Sequence, residues 1–303
     1  MVNFSKKNIY TLGCVIGAVI VIYLIVLYFE KNSVECFVNN DKKRNIWMYW
    51  ENKPGVSKPP GYIQLCFDTV KRKCGKTCNL HILNERTVKK YLPGLRKDLD
   101  DKLNIPQKVD YYRYHLLHKY GGMWIDADTI VMRDLSPLFN KLRDYDYLGW
   151  GCQYKDCRKT GYPKPSIWFM VSRKGTKLIK KCIDNCDALL DRAGKGERIN
   201  YFELGRVNLW KCIQEMKKEN PGWDYYHFDS ECFERDSNDV KLRNQRWISN
   251  EKVDKKCIRK SYFHPIYNTA PGFPKWFKVM SKNEILKGNF LISKLFRRSL
   301  LES

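Results

Sequence analysis

The sequence predicts an α/β layered domain with a largely parallel sheet, preceded by one membrane-spanning helix. Three observations predict it. Apolar runs of strand length alternate with stretches of helical periodicity. One of those runs ends directly in Asp126-Ala127-Asp128. A charge-free run long enough to cross a bilayer stands near the N-terminus. With 43% hydrophobic and 14% aromatic residues among 303, the chain can bury a sizeable core and is too apolar to be disordered. Its 12 cysteines are too sparse for a disulfide-stapled mini-protein.

The first element follows a short tail, residues 1–8. From Ile9 to Phe29 the chain is nearly all Val, Ile, Leu, Tyr, Gly and Ala, about the 20 residues a helix needs to cross some 30 Å of hydrocarbon. A cleaved signal peptide has a shorter apolar region, and Tyr28-Phe29-Glu30-Lys31-Asn32 contains no small-x-small cleavage site. Residues 9–29 are therefore read as a membrane anchor and 30–44 as a polar stalk. Lys6 and Lys7 precede the span while Lys31, Lys42, Lys43 and Arg44 follow it, so flanking charge does not orient it, and large domains translocate largely regardless of charge. The only Asn-x-Ser/Thr sequon, Asn3-Phe4-Ser5, lies on the short side.

The domain spans 45–303. Asn45 to Trp50 reads as a first strand, Tyr62 to Arg72 as a helix and Asn79 to Leu83 as a second strand, with Pro54-Gly55 and Pro59-Pro60-Gly61 as turns. Val109 to Tyr120 puts Tyr112, Leu116, Leu117 and Tyr120 on one helical face, and Gly121-Gly122 ends that helix. Met123-Trp124-Ile125 is a brief strand. Further strands are predicted at Tyr145 to Trp150 and Ile167 to Ser172, with helices at Thr176 to Asp191 and Leu204 to Lys218. Asn289 to Leu301 forms an amphipathic basic helix, read as docking on the core rather than on a membrane. Three cysteine pairs are closely spaced, Cys74 with Cys78, Cys152 with Cys157 and Cys182 with Cys186; their spacings do not match a zinc site, and disulfides in an oxidising lumen or buried free thiols both fit.

The chemistry concentrates at the aspartates. Two carboxylates one residue apart at the end of a buried strand are costly unless a cation neutralises them. A strand ending there puts Asp126 and Asp128 at the carboxyl edge of the sheet, where open α/β sheets bind ligands. Oxygen donors of this kind suit Mg²⁺ or Mn²⁺ together with substrate phosphates. Upstream, Asp110 and Arg113 lie one helical turn apart; Arg offers a planar fork of donors for phosphate or sugar oxygens, and Asp110 can orient it or accept sugar hydroxyls.

Asp110-Tyr111-Tyr112-Arg113-Tyr114 followed by Tyr120-Gly121-Gly122-Met123-Trp124-Ile125-Asp126-Ala127-Asp128 resembles the Asp-x-x-Arg-Tyr and Tyr-Gly-Gly-x-x-x-Asp-x-Asp signature of glycosyltransferase family 32. That group includes α-1,6-mannosyltransferases, capsular polysaccharide synthesis proteins and the glucosylating domains of large clostridial toxins. The likeness is strongest from Asp110 to about Leu138, and the capsular polysaccharide synthesis branch is the nearest. The resemblance implies a GT-A (Rossmann-like, nucleotide-sugar-binding) fold, a UDP- or GDP-hexose donor, Mn²⁺ or Mg²⁺, and retention of anomeric configuration. By the same resemblance Asp110 and Arg113 hold the donor sugar, with Arg113 also facing the diphosphate; Asp126 contacts ribose or metal-bound water; Asp128 is the direct metal ligand; and Trp50 stacks on the nucleotide base. Trp124 stands where some relatives have Tyr, which removes a hydroxyl contact. A third metal ligand is expected from the C-terminal part, His264 or alternatively Asn268, and Lys275 with Trp276 are candidates to close over the phosphates.

The expected enzyme is thus a membrane-anchored hexosyltransferase acting on a glycan, polysaccharide or glycoconjugate acceptor, a type II protein with its catalytic domain in the ER or Golgi lumen. Two rivals come from other classes. Asp126-Ala127-Asp128-Thr129-Ile130 also fits the nucleophile motif of haloacid-dehalogenase-type phosphatases, in which Asp126 is phosphorylated, but the downstream partner motif is met only by Asp187 and Asp191 inside a helical pattern. The formal charge of +23 suits a membrane-tethered polyanion binder; the basic residues are spread out with no zinc finger or basic-aromatic stripe, so no nucleic-acid partner is expected.

Overall fold

The structure, a computed structural model, describes residues 21, 23, 43–151, 165–228, 245–253, 261–269 and 272–302. The chain divides into two units, Met1–Lys43 and Arg44–Ser303, and every element below belongs to the second. The expected anchor at 9–29 lies, but for Val21 and Tyr23, outside the described residues, as do Cys152 and Cys157. Among the described residues no helix is long and apolar enough to cross a membrane.

The domain opens β1 (Arg44–Tyr49), α1 (Gly61–Cys74), β2 (Cys78–Leu83). Two short helices, α2 (Glu85–Tyr91) and α3 (Leu99–Lys102), lead to α4 (Ile105–Tyr120), β3 (Gly122–Ile125) and β4 (Thr129–Val131). After a 3-10 helix, Ser136–Arg143, come β5 (Tyr147–Gly151), β6 (Pro165–Ser172) and α5 (Lys177–Ala193). A single π-turn, Glu203–Val207, enters α6 (Asn208–Glu219), followed by β7 (Tyr226–Phe228) and β8 (Phe263–Pro265). The chain ends in α7 (Lys275–Lys278), α8 (Lys282–Lys287) and α9 (Leu291–Leu301).

Six strands form the main sheet in the order β2-β1-β3-β6-β5-β7. β1 is parallel to β2 and β3, β5 is parallel to β7, and β6 alone runs against the rest. The largely parallel expectation therefore holds with one reversed strand, and β6 brings its N-terminal end to the edge where β1 and β3 finish. Pleating splits the apolar residues between two layers. Ile46, Met48, Met123 and Ile125 face a core shared with α1 and α9. Trp47, Tyr49 and Trp124 face a second core with Tyr112, Leu116 and Leu117 of α4 and residues of α5 and α6.

Gly121 and Gly122 make the turn from α4 into β3. Both have positive φ, 65° and 109°, a region closed to most side chains. A Cβ on Gly122 would also overlap the Asn45 carbonyl, so glycine allows β3 to run beside β1. The C-terminal helix docks on the core as expected: Leu291, Ile292, Leu295 and Phe296 are buried, and Arg297 Nη1 caps the Leu286 and Gly288 carbonyls at 2.6 and 2.7 Å. β4 and β8 pair antiparallel as a separate two-stranded sheet. Three residues each are too few to show strand periodicity, which is why neither was expected. The six described cysteines, Cys66, Cys74, Cys78, Cys182, Cys186 and Cys212, are free and buried, so Cys74/Cys78 and Cys182/Cys186 are thiols.

Candidate active site at the carboxyl edge of the sheet

Asp126 begins where β3 ends. Its amide donates to the Trp168 carbonyl of β6 at 2.9 Å, and Ile266 and Asp128 are joined by a backbone bond of the same length, Ile266 N–H to Asp128 O. The Asp126-Ala127-Asp128 step thus bridges the main sheet and the β4–β8 pair, with one aspartate tied to each. Trp50 follows the end of β1 at the same edge: Trp47 is in register with Trp124, so three residues on, Trp50 emerges level with Ala127. It is half-buried, and its Nε1 donates to Asn52 at 2.9 Å.

Helix α4 aims the next pair. An Asn104–Gln107 capping box fixes its start, with Pro106 in the first turn. One turn further in, Asp110 and Arg113 share a face, and both are buried, at 7% and 4% exposure. Arg113 is bound on several sides. Its Nη2 meets Asp110 Oδ1 at 2.9 Å, its Nη1 lies 3.4 Å from Asp126 Oδ1 and donates to the Ile167 carbonyl, and its guanidinium sits 4.9 Å from the centre of the Trp124 ring. Trp124 adds a further bond: its indole N–H donates to Asp126 Oδ1 at 2.9 Å. The indole thus supplies a donor at the position where some relatives have a tyrosine hydroxyl.

Burial pushes the Asp110 carboxyl up to about 7, against the pull of Arg113 and with the help of Asp126. Burial followed by the charge of Asp126 pushes Asp128 up to about 6, while the N–H of Asn268, 2.8 Å from Asp128 Oδ2, works the other way. Asn268 reaches that position because Tyr267 turns the chain at φ 55°, a left-handed conformation uncommon for an aromatic residue and typical of functional sites when it occurs.

His264, the expected third ligand, lies in β8. It pairs with Ile130 across the β4–β8 register, is 1% exposed, and packs 6.3 Å from Trp247 between ring centres. Burial drives its pKa down to about 3, so the ring is neutral. From this segment Asp128 receives two backbone bonds, Ile266 N–H to its carbonyl and Asn268 N–H to its carboxylate. Among the described residues no group of three His, Cys, Asp or Glu side chains assembles. The donor set that fits a dication is two carboxylates at a strand end, both hard oxygen donors of the kind Mg²⁺ and Mn²⁺ take together with substrate phosphates.

Lys275 is exposed on α7, next to Trp276. Lys278, one turn on, feels the charge of Asp128: burial pushes its ammonium down, Asp128 draws it up, and Lys53 and Lys275 repel it. Nothing in the spacing of Lys53 and Lys278 marks them in the sequence as sharing an environment. Gly205 is the other residue missed. A Cβ there would overlap both Asp110 Oδ2 and Ile167 Cδ1, and Tyr114 Oη donates to its carbonyl at 2.9 Å. The phosphatase reading loses its partner motif, because Asp187 accepts from Tyr111 Oη at 2.8 Å and Asp191 pairs with Arg96 at 2.6 Å.

The profile of capsular polysaccharide synthesis proteins matches residues 25–203. The O-glycosyltransferase braB of Annulohypoxylon truncatum is 24% identical over 173 residues, 52% of this chain and 39% of that protein, so the chain matches well under half of that relative's length. Among solved structures, the PaToxG glycosyltransferase is similar at 15% identity, over 79% of this chain and 96% of that one, with a TM-score of 0.37. The apo form of the glycosyltransferase GlyE of Streptococcus pneumoniae is similar at 11% identity, over 87% and 61%, with a TM-score of 0.42.

Proposed function

The chain belongs to the capsular polysaccharide synthesis protein family, and from that premise we propose that it is a glycosyltransferase of the family-32 type, moving a hexose from a UDP- or GDP-sugar to a glycan, polysaccharide or glycoconjugate acceptor with retention of configuration. The observation that carries the reading is Arg113, buried between Asp110 and Asp126 at the edge where Asp128 and Trp50 also emerge. A strand-end carboxylate pair beside a buried Asp–Arg pair suits a sugar held next to a metal-bound diphosphate.

Each side chain then has a part. Trp50 stacks on the nucleotide base. Asp110 accepts hydroxyls of the donor sugar, and Arg113 holds it there while spanning to Asp126. Lys53, Lys275 and Lys278 present positive charge to a diphosphate, which is where negative charge grows as the sugar leaves. Asp126, Asp128 and Asn268 would hold Mn²⁺ or Mg²⁺, which when bound supplies Lewis-acid stabilisation to the departing nucleoside diphosphate. The acceptor hydroxyl attacks the anomeric carbon from the face the nucleotide leaves, and its proton passes to the departing phosphate oxygen, so no covalent protein nucleophile is required. Residues 9–29 anchor this domain in a membrane, with the site facing the lumen of the secretory pathway.

The test is turnover by the full chain on a panel of UDP- and GDP-hexoses with and without Mn²⁺. The reading expects one donor to be hydrolysed or transferred only with metal, and the activity to disappear in Asp128→Asn. Absence of turnover on every donor, with Asp128→Asn behaving as wild type in nucleotide-sugar binding, sends the chain back to polyanion binding.

A further inference from the structure

The segment from Ile199 to Val207, between α5 and α6, folds back over the first half of α4. It is tied at both ends. Gln107 Nε2 donates to the Ile199 and Asn200 carbonyls at 3.5 and 3.3 Å, and Glu203 accepts from the Asn200 amide at 2.9 Å. At the other end Tyr114 holds the Gly205 carbonyl, and Gly205 itself lies on the Asp110 carboxylate. Between the two clamps stand Tyr201 and Phe202, 49% and 54% exposed, with ring centres 4.9 Å apart and planes at 87°. Arg206 lies 5.1 Å from the Phe202 ring centre.

Single exposed aromatics are ordinary, but these two form an edge-to-face pair on a backbone with little freedom left. Neither belongs to a core cluster. Their position also matters. Burial, and then the charges of Asp110 and Asp126, push the Tyr201 hydroxyl up, while Arg113 opposes them. Gln107 holds the Asn200 carbonyl and Gly205 lies on Asp110, one turn further along α4. The pair between them therefore stands beside the residue read above as holding the donor sugar, which is the end of the donor that an acceptor hydroxyl has to reach.

We propose that Tyr201 and Phe202 form an acceptor subsite that stacks on the apolar C–H face of a pyranose ring, with the Tyr201 hydroxyl and Arg206 meeting its hydroxyls. Pyranose rings carry an apolar face ringed by hydroxyls, and an amphipathic aromatic pair beside a guanidinium matches both. Rigid rings lose little entropy on binding. The proposal rests on the transferase reading above and assigns the acceptor a sugar at its reactive end.

The experiment uses the full chain, its preferred nucleotide sugar, and a panel of methyl and p-nitrophenyl glycopyranosides as acceptors. Tyr201→Ala and Phe202→Ala are expected to raise the KM for the accepted glycoside about tenfold each, with the KM for the donor changed less than about twofold. Phe202→Tyr and Tyr201→Trp are expected to restore the acceptor KM. A rise in donor KM instead would assign the rings to the donor site and overturn the proposal, as would an unchanged acceptor KM or a wild-type enzyme that hydrolyses the donor and accepts no pyranoside. If the wild-type chain neither binds nor consumes any nucleotide sugar, the transferase reading itself has failed.

Discussion

Replacing Arg113 by methionine keeps the length of the side chain and removes the charge that joins Asp110 to Asp126. At pH 8 Asp110 is ionised in the wild type, and the variant leaves it in a site 7% exposed with no cation. Breaking a buried pair in this way costs about 3 to 5 kcal/mol, and in a domain of this size 1 kcal/mol shifts Tm by roughly 2 to 4 °C, so a drop on the order of 10 °C is expected. The penalty fades little by little with acid. Because burial holds the folded Asp110 at about 7, above the usual 3.8, the native state binds this proton more tightly than the unfolded chain, and the group costs least below about pH 4 and most above pH 7. At pH 5 the carboxyl is largely neutral and the Tm difference between wild type and Arg113→Met shrinks to a few degrees. Adding Asp110→Asn to Arg113→Met removes the stranded charge and recovers most of the loss at pH 8. Thermal denaturation of the three proteins at both pH values checks this. Equal Tm losses at pH 5 and pH 8, or no recovery in the double variant, would refute the claim that Arg113 acts by compensating Asp110.

Three further outcomes are expected. Asp110→Asn alone flattens the fall in Tm between pH 4.5 and 7.5 that the wild type shows, read from the difference between the two melting curves. Gly205→Ala forces the Asp110 carboxylate or Ile167 to move; overpacking of this kind costs about 1 to 3 kcal/mol, and donor turnover falls far more than Gly55→Ala, at an open turn, lowers it. Lys278→Ala weakens binding of the nucleoside diphosphate about tenfold, on the order of one charged contact, measured by calorimetry, while Lys287→Ala on the neighbouring helix leaves it unchanged.

The parts of the fold that were legible are those with long, clean periodicity. β1, α1 and β2, the α4 face of Tyr112, Leu116 and Leu117, the Gly121-Gly122 turn and the docked C-terminal helix all follow from spacing and from the demands of positive φ. The reversed direction of β6 was not legible, because a run such as Ile167 to Ser172 reads the same whichever way its neighbours point. The β4–β8 pair was hidden by its length. The same omission hid the surroundings of the C-terminal candidates: register with Ile130 buries His264, and after the left-handed turn at Tyr267 the backbone N–H of Asn268 meets Asp128. No sequence pattern marks a tyrosine for that conformation. In the same way Asp110 and Arg113 were readable as a helical pair, whereas Gly205, Tyr201 and Lys278 reach their surroundings through tertiary folding alone.

The central claim is a metal-assisted nucleotide site at Asp126 and Asp128, and calorimetric titration of UDP and GDP into the full chain, with and without Mn²⁺, tests it most directly. The account predicts that one nucleotide binds in the presence of Mn²⁺, that affinity falls at least about tenfold when the metal is withdrawn, and that Asp128→Asn abolishes this dependence on metal. Binding of neither nucleotide at any metal concentration, or an Asp128→Asn protein with the metal dependence of the wild type, would contradict it.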